Sequence, residues 1–280
     1  MKQNKYISPG GWFSFEYPAG WNEFEDTEST FLFCNPHTWE GNFRISATRG
    51  RDKRYGADQL RYELKDNPSA VCTRAGRADG VYSTVSFEED GRPFTSYSWL
   101  LDYGYICVEC TFTTVQNGSK AIAEDIISTI NVPPRPGSYH DELIPVRVIE
   151  IGKINAGYEW TEKKIKKALT KDFTGSVRDI ARMDELIERG DINMADADTR
   201  MNLGLTLCAI LAYEIEGMEW RTLIDGSDEL PVVVYVGSSM IIRPDTVVGD
   251  YFIQNTRGTF LELYEMIKTR VASLDAQRKD

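Results

Sequence analysis

The sequence predicts an α+β protein of two domains, and three observations carry that reading. Residues 81–88 and 93–101 alternate apolar and polar side chains and are joined by Glu89-Asp90-Gly91-Arg92, the pattern of an antiparallel hairpin. Residues 132–137, Val-Pro-Pro-Arg-Pro-Gly, place three prolines and a glycine in six positions and make a stiff break. Beyond the break the texture changes to amphipathic helices followed by short apolar runs, and strands grouped apart from helices mark the α+β class. At 280 residues the chain is also at the upper limit for one hydrophobic core. The expected division is residues 1–132, a proline-rich linker over 133–150, and residues 151–280.

In the first half, Trp12 opens a strand whose Phe13, Phe15 and Tyr17 share one face, with Ser14 and Glu16 on the other. Pro18-Ala19-Gly20 stops it, and Trp21 resumes the chain. Strands are expected over 29–35 and 42–48. A helix is expected over 58–65, where Leu60 and Leu64 share a face and Asn67-Pro68 closes the segment. The hairpin strands are followed by a third, 105–114, a turn at Asn117-Gly118, and a helix over 120–130 carrying an isoleucine stripe. In the second half, helices are expected over 160–173, 177–189 and from about Asp198 to Ile215. The run 203–213 is apolar nearly all round, so it reads as the hub of its core. It is about half the ~20 residues a helix needs to span a bilayer, and no membrane span is expected. Strands are then expected over 219–224, 231–236, 240–243 and 247–253, and a final helix over 258–274.

The first strand, the Pro-x-x-Trp pattern at Pro18–Trp21, the meander over 81–114 and its closing helix together resemble the PsbP/Mog-type domain, over roughly residues 6–132. The resemblance implies a twisted antiparallel sheet between helices. It also implies a binding role, since that superfamily consists mostly of non-catalytic modules. No binding residue carries over by motif. In the second half, Leu203-Gly204, Glu219-Trp220-Arg221, Asp225 and Met240-Ile-Ile-Arg243-Pro244 resemble a bacterial domain of unknown function, which implies a domain and no mechanism.

The chemistry-bearing residues are sparse. The net charge is −11 and both halves carry more acids than bases, which argues against nucleic acid as a partner. The two histidines, His37 and His140, lie in loops, and no phosphate cradle, dinucleotide turn or nucleophile elbow occurs. Cys107 and Cys110 are spaced as a CxxC but sit mid-strand, where residues three apart face opposite sides, so they read as core hydrophobes. The acid pairs Glu88-Glu89-Asp90 and Asp228-Glu229 read as solvated turns. No catalytic, cofactor or metal residue is assigned. Five cysteines, an odd number, and no signal peptide over residues 7–21 give a cytoplasmic expectation, provided no leader was removed.

Aromatic surface is the stronger lead. Tyr97 and Trp99 share a strand face, and with Trp39 they form the expected partner or ligand face of the first domain. Trp220, Arg243 and Tyr251, on strands expected to be adjacent, are the counterpart in the second. The reading is a non-enzymatic protein-interaction module, a chaperone- or immunity-like partner by analogy. The alternative is an enzyme, with Asp225 and Arg243 the first residues to test, or a small-ligand binder sited in the second domain or in an inter-domain cleft.

Overall fold

The computed structural model describes residues 2–27, 29–255 and 257–279. The chain divides into two compact units, Met1–His140 with Asp225–Ser227, and Asp141–Ile224 with Asp228–Asp280. Both mix helices with antiparallel strands, the class read from the sequence.

The first unit contains β1 (Gln3–Ile7), β2 (Ser14–Pro18), β3 (Asn22–Thr27), β4 (Thr30–Cys34), β5 (Asn42–Arg49), α1 (Tyr55–Asp66), β6 (Val71–Ala75), β7 (Ala78–Glu89), β8 (Arg92–Tyr103), β9 (Ile106–Val115) and α2 (Ala121–Ser128). β1 and β2 form their own hairpin, while the rest make a seven-stranded antiparallel sheet ordered β3-β4-β5-β9-β8-β7-β6. The β7–β8 turn has positive φ at Asp90 (51°) and Gly91 (73°), the backbone that a two-residue hairpin requires. The inner face packs Phe33, Phe43, Ile45, Trp99, Leu101 and Phe112 against Phe13, Phe15 and Tyr17. Ile126 and Ile127 of α2 close that core. Ser14, expected outward, is buried, and its hydroxyl accepts from the Tyr139 hydroxyl at 3.0 Å. α1 packs on β7, β8 and β9. Its Gly56 lies against Asp102, on the face opposite Trp99 and Leu101. Cys107 and Cys110 are both buried, with only Cys110 in the inner core. Burial, reinforced by Asp102 and Glu109, pushes the Cys107 thiol up to about 12.

The second unit contains β10 (Glu142–Pro145), α3 (Val148–Leu169), α4 (Val177–Glu188), α5 (Ala197–Glu214), β11 (Met218–Asp225), β12 (Asp228–Tyr235), β13 (Ile241–Ile242), α6 (Pro244–Gln254) and α7 (Phe260–Lys279). Its sheet is ordered β10-β11-β12-β13. α5 is the hub, with Leu203, Leu207, Cys208, Ile210 and Leu211 in one core with residues of α3, α4 and α7. Asp196 caps α5 by accepting from the Thr199 amide at 2.8 Å.

Two helices differ from expectation. α3 begins at Val148, inside the segment read as linker, and ends at Leu169, where Thr170 adopts a left-handed conformation (φ 55°). Gly152 and Gly157 weaken the helical signal there. In the fold, Gly157 is the notch that receives Leu205 of α5. The run 247–253, expected as a strand, belongs to α6. A short apolar run does not separate a buried strand from a buried helix. Pro244 in the first turn with Asp245 beside it was the helix-start signal.

α4 opens with a reciprocal capping box between Ser176 and Asp179. The buried Asp179 carboxylate accepts from the Thr174 amide and hydroxyl, both at 2.8 Å, and pairs with Arg182. Burial would raise its pKa, but the Thr174 bonds, Arg182 and the Ser176 amide outweigh burial and hold it below the ordinary Asp value. A depressed folded-state pKa contributes stability above the unfolded value, and that contribution is lost as pH falls below about 4. Asp179→Asn is therefore expected to cost about 1–3 kcal/mol at neutral pH. The gap in melting temperature between wild type and variant should narrow as the solution is acidified below pH ~4. A gap that stays constant would mean that the charge is not what holds this cap.

Candidate functional site on the open face of the sheet

Strand parity decides where each aromatic points. Across β7 and β8, Tyr82 pairs with Trp99 and Phe87 pairs with Phe94. Positions 82 and 87 differ by an odd number, so the two pairs lie on opposite faces. On the inner face Trp99 is 3% exposed. The Tyr82 and Tyr97 rings stack at 6.4 Å, and the Tyr97 hydroxyl donates to the Gly118 carbonyl at 2.9 Å. Lys120 caps this group, its Nζ 4.0 Å from the Tyr82 ring centroid and 5.9 Å from those of Tyr97 and Trp99. Tyr97 and Trp99, expected on a partner face, are thus core and its cover.

The opposite face is covered by α1 at one end and open at the other. There Phe87 and Phe94 stack at 5.8 Å with 26° between planes, and Trp39 meets Phe94 edge-on at 6.2 Å and 85°. Val85 (56% exposed), Val115 (52%) and Trp39 (43%) extend the patch. Trp39 is the one residue of the expected set that stands on it. Its loop is built for the position: Asn35 Oδ1 accepts from the His37 amide at 2.9 Å and the Thr38 amide at 3.1 Å. Trp39 Nε1 donates to Asn42 Oδ1 at 2.8 Å. Gly41 (φ 153°) lets the chain return to the sheet, since a Cβ there would sit 2.4 Å from the Phe112 ring. Beside Trp39 lies an open groove of about 440 Å³, walled by Glu40, Thr114, Val115, Gly118 and Ile122. Thr114 Oγ1 closes its base by donating to the Glu40 carbonyl at 2.6 Å. The chemistry of such a surface suits burial of an apolar side chain or a cation held on a ring face. Phe87 and Phe94 were legible: folding the hairpin about Asp90-Gly91 places them opposite one another.

The residues expected together in the second unit are separate. β12 lies between β11, which carries Trp220, and β13. Arg243 is the N-cap of α6 and forks onto Asp245 at 2.9 and 3.2 Å. Tyr251 is on α6, its hydroxyl donating to Glu262 at 3.1 Å. Asp225 is exposed and shares a 2.8 Å hydrogen bond with His140.

What the sequence reading missed is a buried ionic cluster. Arg147 Nε and Nη2 donate to the two oxygens of Glu150 at 2.7 and 2.8 Å, and Nη2 also donates to Glu229 at 2.8 Å. Arg147 and Glu150 are fully buried, and Glu229, expected in a solvated turn, is 15% exposed. Thr222 Oγ1 donates to Glu150 at 3.3 Å, and Lys153 approaches it at 3.4 Å. Burial would lower the Arg147 pKa, but Glu150 and Glu229 outweigh it and drive it higher still. Arg147 and Glu229 lie 82 residues apart in sequence, so no local pattern announces the contact.

The open aromatic face lies within a segment, residues 1–155, that matches a family described as Domain of unknown function (DUF3805). The chain belongs to this family. In this DUF3805 protein a second match, Domain of unknown function (DUF3806), covers residues 179–264 and includes Gly204, Trp220 and Pro244. A crystal structure of a protein from Bacteroides thetaiotaomicron VPI-5482 is similar at 44% identity, covering 95% of this chain and 98% of that one, with a TM-score of 0.89. LpqN of Mycobacterium tuberculosis, involved in cell envelope biogenesis, aligns at 14% identity over 44% of this chain and 83% of its own. Its TM-score is 0.31, too low for a common fold to follow. No curated protein matches the chain. No helix among the described residues is long and apolar enough to cross a membrane.

Proposed function

We propose that this DUF3805 protein is a non-enzymatic protein-binding module whose first unit engages a partner through the Trp39–Phe94–Phe87 face. The observation that carries this is a cluster of large apolar side chains, Trp39, Val85, Phe87 and Val115, exposed together beside an open groove. Water-exposed clusters of this kind mark interaction sites, and Trp is over-represented among interface hot spots. The resemblance of the Pro18–Trp21 pattern and the 81–114 meander to PsbP/Mog-type domains supports the same role by analogy alone. The acidic charge favours a protein over nucleic acid as partner, and free thiols at all five cysteines suit a reducing cytoplasm.

The test is affinity capture from host lysate with wild type and with two surface variants, Trp39→Ala and Val85→Lys. Wild type is expected to retain a stoichiometric protein whose recovery falls about tenfold or more in either variant. A partner held equally by all three, or none held by wild type, would reject the proposal.

A further inference from the structure

A groove along α6 in the second unit brings charged and apolar side chains together. It holds about 490 Å³, within the range of small-molecule pockets. Met194, Phe252 and Ile253 supply apolar wall, and Arg200 and Asp250 supply opposite charges. Arg200 is pre-positioned: its Nη1 donates to the carbonyls of Met194 and Ala195, both at 2.8 Å. Its Nε lies 3.5 Å from where a Gly249 Cβ would be, so the glycine leaves room for the guanidinium along α6. Among the described residues Arg200 forms no salt bridge within 4.0 Å; the Asp196 carboxylate feels its charge only at longer range, and its direct partners are carbonyl oxygens.

The neighbouring acids are not equivalent. Asp196 is engaged in capping Thr199, through both the amide and the hydroxyl. Asp245 is engaged by the fork of Arg243. Asp250 stands exposed at the rim. The groove therefore presents one held cation, one accessible anion and an apolar wall. We infer that it binds a free amino acid with an aliphatic or aromatic side chain. The carboxylate would pair with Arg200, the ammonium with Asp250, and the side chain would lie on Met194, Phe252 and Ile253. Both charges of the zwitterion are then matched and neither is desolvated alone. This does not rest on the protein-binding reading, since the aromatic face belongs to the other unit.

The experiment is calorimetric titration of the full chain with leucine, with leucinamide, which lacks the carboxylate, and with 4-methylpentanoate, which lacks the ammonium. Saturable leucine binding is expected, weakened about tenfold or more by either analogue and by either Asp250→Asn or Arg200→Gln. Asp250→Asn alters an exposed side chain, so it keeps the test valid should Arg200→Gln disturb the loop before α5. Trp39→Ala should leave leucine binding intact. Three results would overturn the assignment: no saturable binding of leucine at millimolar concentrations, either analogue binding as tightly as leucine, or Asp250→Asn binding as wild type does.

Discussion

Glu150→Ala is expected to destabilise the second unit by about 3–5 kcal/mol, because it strands a fully buried guanidinium. Arg147 would keep its contact with Glu229 but lose both hydrogen bonds to Glu150. Arg147 and Glu150 are 1% and 0% exposed, so water is poorly placed to replace those bonds. Denaturant unfolding should register the loss as a lowered midpoint with an unchanged slope. A second variant separates the cost of a stranded charge from a general intolerance of change. Replacing the group as a whole, Arg147→Met with Glu150→Leu and Glu229→Leu, removes every charge that needs a partner. Such replacements are often neutral or stabilising, so the triple variant should be clearly more stable than Glu150→Ala alone. If the triple variant is the weaker of the two, the cluster contributes net stability beyond mutual compensation.

Gly204→Ala is the second large effect. A Cβ at this position of α5 would sit 2.1 Å from the carbonyl oxygen and 2.8 Å from the carbonyl carbon of Pro244. Both are backbone atoms at the start of α6, so no rotamer change relieves the clash. α6 must move off α5, opening the core around Val248. The expected loss is about 3 kcal/mol or more, a fall in melting temperature on the order of 10 °C. Gly152→Ala is the control. It too replaces a helical glycine, but nothing lies within 4 Å of the new Cβ. It should stabilise by about 0.5–1 kcal/mol, since alanine restricts the unfolded chain and favours helix. Equal effects at the two positions would show that helix propensity, and not the α5–α6 approach, governs both.

The hairpin and meander were legible because their determinants are local. Asp90-Gly91 sets the turn, the turn sets the register, and period-2 alternation then assigns the faces. α4 and the apolar α5 were legible for the same reason, through their 3.6-residue pattern and flanking caps. Strands β1, β3, β6 and β10 were not read, being short and lying at sheet edges or in a separate hairpin, where half the alternation signal is missing. α6 was misread because its apolar run suits either period. Of the residues expected on a partner face, Trp39 is 43% exposed and Trp99 is buried. The side of the sheet holding Tyr97 and Trp99 was not legible, because alternation says that two residues share a face and not which face the hairpin β1–β2 will cover.

Local rules of backbone and pattern thus sufficed for the α+β class and for most of the longer elements, since each depends on residues within a few turns of one another. Which face stayed open, which glycine became a contact, and which glutamate went into the dark beside Arg147 depended on partners dozens of residues away. Long-range packing assigns those roles, because burial and charge pairing are properties of the assembled neighbourhood and leave no periodic trace in the chain.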